Sequence, residues 1–176
     1  MTERQIVKGL IRGDRKAQNL CYEQYRSTWY MICLRYQQDS ASALDSLQNG
    51  LIKIFSKIKQ YDDTKGTFKS WSSRVVINEN LMALRKESAQ MFTEDISESY
   101  DLFDEQASPI EQLSAQELTK LIQKLPDGYR TIFNMYVIEG YTHAEIADEL
   151  GINAGTSKSQ LFKARKMLQR QLEVLI

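Results

Sequence analysis

The chain has 176 residues, with 23 basic and 23 acidic side chains that leave a formal net charge of zero. Because no apolar run of about 18 residues is present and the first residues lack a signal-peptide pattern, we expect a soluble cytoplasmic protein without membrane insertion. Only two prolines and eight glycines occur. Residues that break helices are therefore scarce, and the sequence predicts an all-α fold.

The sequence contains N-cap residues and capping boxes that predict where successive helices begin. Thr2 opens a capping box with Gln5, and Asp14 is suited to cap a long helix that ends near Gln37. We further expect N-caps at Ser42, for a helix over about 43–60, and at Thr67, for a helix over about 68–88. Two more capping boxes follow, Ser108 with Glu111 and Thr142 with Glu145. A helix over about 126–138 lies between them.

The neutral total conceals a charge pattern along the chain. Residues 1–88 carry an excess of cations, residues 89–117 contain eight acids and neither Lys nor Arg, and the remainder is mildly basic. No regular hydrophobic period is sustained over 89–108. We therefore predict two small helical domains, 1–88 and 109–176, joined by an acidic linker, with nucleic-acid contacts on the two domains. The apolar residues inside the linker suggest that it also docks on a partner.

The tightest corner of the chain lies at residues 145–166, EIADELGINAGTSKSQLFKARK. Gly151 suits the left-handed end of one helix, and Asn153 suits the N-cap of the next, only two residues later. A helix, a three-residue turn and a helix make a helix-turn-helix, which presents its second helix to DNA. A plain solvated helix on a bundle is the alternative, but the short turn and the matched caps favour DNA binding.

A helical wheel divides that second helix into two faces. Small and apolar residues are predicted to face the core, namely Ala154, Ser157, Leu161, Ala164 and Leu168. The opposite face is predicted to carry hydroxyls at the start and cations further along: Thr156, Ser159, Lys163, Lys166 and Arg170, with Gln160 and Lys158 at its edges. Polar residues near the N-terminus reach base edges in such motifs, and cations hold phosphates.

The helix predicted over 43–60 also has two faces. Six apolar residues form the expected core stripe: Leu44, Leu47, Leu51, Ile54, Phe55 and Ile58. Asp45, Gln48, Asn49 and Ile52 gather on another side. An isoleucine on a polar face indicates a docking surface or a stray surface residue, and the pattern alone does not choose between them.

Catalytic chemistry is not indicated. The chain lacks a glycine-rich phosphate loop and a metal-ligand spacing, and we expect neither cofactor nor metal. Cys21 and Cys33 are expected to be reduced thiols without a redox role. His143, the single histidine, lies within a capping box and is expected at the surface. An enzyme is therefore not predicted.

Four stretches together resemble the extracytoplasmic-function (ECF) group of bacterial RNA polymerase sigma factors, of the sigma-70 family. They are LDSLQNGLIKIFSKI, GTFKSW, RVVINENLMALRK and LPDGYRTIFNMYVIEGYTHAEIADELGINAGTSKSQLFKARKML. The resemblance covers nearly the whole chain outside the linker, and GTSKSQLFKARK is its most specific part. It implies a region 2-like domain that binds core polymerase and melts the −10 element. It also implies a region 4-like domain that reads the −35 element and touches the polymerase flap, while the linker threads the polymerase channel.

The resemblance carries roles onto individual positions. It implies that the clamp helices of the largest polymerase subunit contact Asp45, Gln48, Asn49 and Ile52. It places a flipped non-template base in the loop 61–67 and the −10 DNA against Tyr61, Lys65, Lys69, Arg74, Asn78, Arg85 and Lys86. It assigns −35 DNA contacts to Thr156, Lys158, Ser159, Gln160, Lys163 and Lys166. Asn49 departs from the acid usual at that position, which implies a weaker ionic contact with polymerase.

Phe68 and Trp71 are aromatic and lie close to the predicted melting surface. Stacking on bases is one reading, but their spacing with neighbouring apolar residues favours core packing. Two other classes of protein compete with a sigma factor. One is a stand-alone helix-turn-helix regulator, which would need a sensor site that the first domain does not display. The other is a helical scaffold or anti-sigma-like protein without DNA binding. The presence of an anti-sigma partner is left open by the sequence.

Overall fold

The computed structural model describes residues 2–87 and 114–174, apart from the side chains of residues 86 and 87. The chain divides into two compact units, Met1–Lys86 and Glu87–Ile176. Within the described ranges all regular structure is helical, which confirms the predicted all-α class. The predicted linker 89–108 and the capping box at Ser108 lie outside the described residues, so the three-part division stays a prediction.

Four α-helices make up the described first unit: α1 Glu3–Ile11, α2 Arg15–Tyr36, α3 Ser40–Lys57 and α4 Phe68–Glu87, with a 3₁₀ turn at Ile58–Gln60 after α3. The caps predicted at Thr2 and Asp14 are confirmed. Thr67 caps α4, since its Oγ1 accepts from the Ser70 amide at 3.2 Å. The core of this unit centres on Trp29 and Phe68, both fully buried.

The N-cap predicted at Ser42 is wrong. Helix α3 begins three residues before the predicted start, and Asp39 is its cap, with Oδ1 accepting from the Ser42 amide at 2.8 Å. The Ser42 hydroxyl donates to the other carboxylate oxygen at 3.1 Å. Both hydrogen bonds hold the pKa of Asp39 below its usual value. A carboxylate accepts from both donors of Ser42 at once, so Ser42 becomes a first-turn residue instead of the cap.

Polar pairs fix α4 against α2 in the interior of the first unit. The Trp29 indole Nε1 donates to Ser72 Oγ at 3.2 Å, and Gln37 Nε2 donates to Asn80 Oδ1 at 2.9 Å. The Asn80 amide also donates to the Val76 carbonyl at 2.9 Å. Because such groups are costly to bury unpaired, these bonds select one register between the two helices.

The described part of the second unit contains α5 Ala115–Gln123, α6 Asp127–Phe133, α7 His143–Leu150 and α8 Ala154–Glu173. Helix α6 continues as a π-helical turn, Asn134–Ile138, where a helix over 126–138 was predicted. Ser114 and Glu117 form a capping box that starts α5, and the sequence reading missed it. The predicted box of Thr142 with Glu145 is confirmed.

Arg130 is a buried charge in the described part of this unit. Its guanidinium donates to the carbonyl of Leu125 at 2.8 Å, to that of Gln123 at 3.2 Å, and to the carboxylate of Asp127. Burial lowers the pKa of Arg130, and the neighbouring carboxylate opposes that shift. The side chain thus satisfies carbonyls at the end of α5 and secures the corner between α5 and α6.

Candidate nucleic-acid and polymerase interfaces

The corner between α7 and α8 has the predicted helix-turn-helix geometry. Gly151 ends α7 in the left-handed region, at φ 67°. The Ile152 amide returns to the Ala147 carbonyl at 3.1 Å, and Asn153 Oδ1 accepts from the Thr156 amide at 2.7 Å. Both helix ends are therefore satisfied within three residues, and the direction of α8 is fixed by its cap.

The predicted outward face of α8 is only partly correct. Ser157, Leu161, Ala164 and Leu168 are buried as expected. Thr156 and Gln160, which were placed on or beside the outward face, are also buried, with 8% and 7% of their surface exposed. They precede the buried Ala164 by eight and four residues, so the three side chains share one line along the helix. The buried stripe is therefore broader than the wheel predicted.

The cations of α8 remain accessible. Lys158, Lys166 and Arg170 are exposed, while Ser159 and Lys163 are half-buried. Ser159 Oγ donates to the Thr156 carbonyl at 3.0 Å. The N-terminal part of α8 thus offers one half-buried hydroxyl, and cations follow it along the exposed side. This gradient suits base contacts near the start and phosphate contacts beyond.

His143 is not the surface residue that the sequence predicted. Its ring stacks on Tyr136 with centroids 4.3 Å apart, and Nδ1 shares a hydrogen bond of 2.8 Å with Ser157 Oγ. Burial lowers the pKa of His143, and Lys158 and Arg165 add to that effect. The neutral ring therefore links α7 to the first turn of α8. Ser157 was predicted on the core face of α8, but nothing in the sequence indicated that His143 would be its partner.

The first unit places its predicted DNA residues along the loop 61–67 and the exposed stripe of α4. Tyr61 closes the loop, since its hydroxyl donates to the Gly66 carbonyl at 3.0 Å. Asp62 accepts from the amide and hydroxyl of Thr64, which lowers its pKa. Lys65 lies 3.6 Å from Asp62, but its side chain is 82% exposed, so the pair is weak.

An aromatic cluster lies between this loop and α4. The ring of Tyr61 is 5.7 Å from that of Phe68 and 5.5 Å from that of Trp71, measured between centroids. Phe68 is fully buried, which agrees with the core role preferred for it. Tyr61 and Trp71 are half-buried, and their ring planes are tilted by 50° to each other. These two rings form a platform at the start of α4 that is available to a base.

Along α4 the predicted residues Lys69, Arg74, Asn78 and Arg85 are all exposed, and the Lys86 side chain lies outside the described residues. Asn80, only two positions after Asn78, faces inward to Gln37. The polar network beneath α4 therefore sets which of the two asparagines is presented to solvent. The sequence alone did not identify that network.

The polymerase-binding residues predicted on α3 form one exposed surface. Asp45, Gln48 and Asn49 are exposed, and Ile52 exposes 64% of its surface. Leu44, which was expected in the core stripe, is 49% exposed and is a correction. It precedes Gln48 and Ile52 by four and eight residues, and therefore lies on their side of the helix. These five residues are called the α3 surface below.

Burial explains the absence of reactive thiols among the described residues. Cys21 and Cys33 are both buried and free of disulfides. Desolvation raises the pKa of Cys21 to about 12 and that of Cys33 to about 11. Both thiols are therefore protonated near neutral pH. Within 2–87 and 114–174, no group of three or more His, Cys, Asp or Glu side chains converges in a way that suits a metal ion.

No helix in the described ranges combines the length and the apolar character that a membrane span requires.

Comparisons with known proteins agree with this geometry. The model of Sigma-70 region 2 matches residues 21–90, and that of Sigma-70, region 4 matches residues 115–168. The ECF RNA polymerase sigma-E factor of Haemophilus influenzae is 25% identical over 187 aligned positions, covering 100% of this chain and 98% of the relative. The ECF RNA polymerase sigma factor SigW of Bacillus subtilis is 26% identical and covers 96% of each chain.

Solved structures show the same fold. The sigma factor RpoE of Bartonella quintana, in complex with the anti-sigma factor NepR, has a TM-score of 0.53 and 22% identity, covering 89% of this chain and 96% of that one. CnrH in complex with the cytosolic domain of CnrY has a TM-score of 0.50 and 15% identity, with coverage of 98% and 97%. Sigma factors are regulatory subunits of RNA polymerase that drive transcription initiation. The chain belongs to the ECF group of the sigma-70 family and is an alternative sigma factor.

Proposed function

We propose that this sigma factor uses the α3 surface to bind core RNA polymerase, α8 to read a −35 element, and the loop 61–67 with α4 to open a −10 element. The single observation that carries the assignment is that both region matches coincide with exposed, cation-bearing helices, one in each of the two compact units. A stand-alone helix-turn-helix regulator is not favoured, because the first unit matches a sigma region instead of a sensor domain.

The proposed division of labour follows from the side chains. Ile52 and Leu44 supply apolar surface to the clamp helices of the largest subunit, and Gln48 with Asp45 supplies hydrogen-bonding groups at its edge. Asn49 carries no charge, so binding there rests on hydrogen bonds and apolar contact. The contact with the polymerase flap is assigned to the second unit as a whole.

At the promoter, base contacts are assigned to the start of α8 and phosphate contacts to its cations. Ser159 and Lys163 are the half-buried readers, while Lys158 and Lys166 are exposed and suited to phosphates. For Thr156 and Gln160, the burial seen here means that contact with a base needs a rearrangement at the edge of the stripe. Melting uses the Tyr61 and Trp71 platform for an unstacked base.

The protein is proposed to act with polymerase in the cytoplasm and to catalyse no reaction of its own. An anti-sigma partner is part of the proposal because one solved relative, RpoE, is described in complex with the anti-sigma factor NepR. The acidic linker is proposed to lie in a cationic polymerase channel, since its six acids would be repelled by DNA.

The test is run-off transcription with purified core polymerase over a library of promoter fragments. The chain should bind the core enzyme, and the mixture should initiate at a discrete set of start sites without any other factor. The matched control is the same chain with Asp45, Gln48 and Ile52 each changed to alanine, which should lose core binding but remain folded. A wild-type chain that neither binds core polymerase nor opens any fragment would refute the proposal.

A further inference from the structure

The exposed stripe of α4 has two chemically different edges. On a helical wheel the stripe spans about 100° of arc. One edge is cationic and the other is apolar, with Asn78 between them. The cationic edge consists of Arg74 and Arg85, and the apolar edge consists of Trp71, Val75 and Met82.

Met82 is the exposed member of the apolar edge without a proposed role. It exposes 47% of its surface, whereas the two leucines of this helix, Leu81 and Leu84, expose only 3% and 4%. It lies eleven residues after Trp71, or about 16 Å further along the helix. An apolar side chain is thus exposed about three turns beyond the point where the aromatic platform ends.

The stripe selects a ligand with charge on one side and apolar faces on the other. Arg74 and Arg85 attract phosphates by their charge, whereas the apolar methionine side chain is not stabilised by contact with phosphate or water. Inside a duplex the base faces are covered by their neighbours. In an unpaired strand they are exposed, and apolar side chains pack against them or wedge between base steps. Glu79, the acid nearest this stripe in the helix, is half-buried beyond its apolar edge, on the side away from the two arginines.

On this basis, and resting on the proposed function, we propose that Met82 packs against the bases of the opened −10 strand and is a further residue that stabilises the melted promoter. The arginines on the other edge hold the backbone of the same strand. The base-contacting surface of α4 therefore continues past the Tyr61 and Trp71 platform.

The experiment uses holoenzyme assembled from the full chain and core polymerase. The probe is a duplex promoter fragment recovered from the run-off library, with 2-aminopurine in the −10 non-template strand to report opening. Met82→Gln keeps the length of the side chain but removes its apolar character, and Met82→Leu keeps that character. Ile11→Gln is the matched control, because Ile11 on α1 is 44% exposed.

Met82→Gln should lower the opening equilibrium about fivefold, which corresponds to about 1 kcal/mol. Binding to the closed duplex at low temperature should stay within about twofold of wild type, and Met82→Leu and Ile11→Gln should both open normally. The slope of log binding constant for the promoter against log salt concentration should be unchanged in Met82→Gln. In Arg85→Gln the magnitude of this slope should fall by about one.

Normal opening by Met82→Gln would overturn the inference and leave the sigma assignment intact. An equal loss in Met82→Leu or in Ile11→Gln would also overturn it, since the effect would then not depend on an apolar group at this position. If wild-type holoenzyme opens no fragment, the failure lies in the proposed function instead.

Discussion

Truncation of Ile52 tests the α3 surface most directly. Full burial of an isoleucine side chain contributes about 1.5–3 kcal/mol, and 64% of the Ile52 surface is still exposed in the free protein. Burial against the clamp helices is therefore worth about 1–2 kcal/mol, and alanine, which keeps Cβ, should lose about 1–1.5 kcal/mol of it. The dissociation constant of the complex with core polymerase should rise about five- to twelvefold.

The measurement is a fluorescence anisotropy titration of labelled chain with core polymerase at fixed salt. Ile11→Ala is the matched control, because Ile11 is an exposed isoleucine on α1, with 44% of its surface accessible. The free energy of unfolding of both variants should stay within about 1 kcal/mol of wild type, since neither side chain is fully buried. If Ile52→Ala binds within about twofold of wild type, or if Ile11→Ala weakens binding equally, the α3 surface is wrongly assigned.

Three further outcomes concern the two units. A Cβ at Gly9 would lie 2.4 Å from the Ala17 Cβ, so Gly9→Ala should lower the unfolding free energy in urea by about 1–3 kcal/mol, and adding Ala17→Gly should restore part of it. Arg130→Met should destabilise the second unit by about 3 kcal/mol or more in thermal unfolding, because three acceptors lose their donor; a loss below 1 kcal/mol would contradict this. The pKa of His143 is held below 6.5 in the folded state, so the unfolded state binds more protons as the pH falls. The stability that the neutral ring contributes should therefore be complete above about pH 6.5 and decline below it. His143→Gln should flatten this decline in the urea unfolding free energy between pH 7 and 5. Equal declines in wild type and variant would refute the prediction.

Local chemistry explains why much of the fold could be predicted. Caps at Thr2, Asp14, Thr142 and Asn153 depend on residues within three positions, so the sequence contains all that determines them. The cap prediction at Ser42 was wrong because Asp39, also a good cap residue, lies three positions earlier. The Asp39 carboxylate accepts from both the amide and the hydroxyl of Ser42.

Burial was harder to predict because it depends on distant neighbours. The wheel identified the centre of the α8 stripe but underestimated its width, so Thr156 and Gln160 were placed outside. Leu44 was assigned to the core from its hydrophobicity alone, although it lies on the exposed side of α3. Asn80 and His143 make partners 43 and 14 residues away in sequence, and no short-range pattern records such pairs.

The polar pairs between α2 and α4 have a mechanical consequence. Sliding α4 by a single residue along α2 would break the bonds at Ser72 and Asn80 together, because each bond is tied to one side-chain position. Sliding of α4 therefore costs two buried hydrogen bonds at once, each to a partner 43 residues away in sequence that lies on or just after α2. A force on the exposed side of α4 is resisted by the long helix α2 and not by α4 alone.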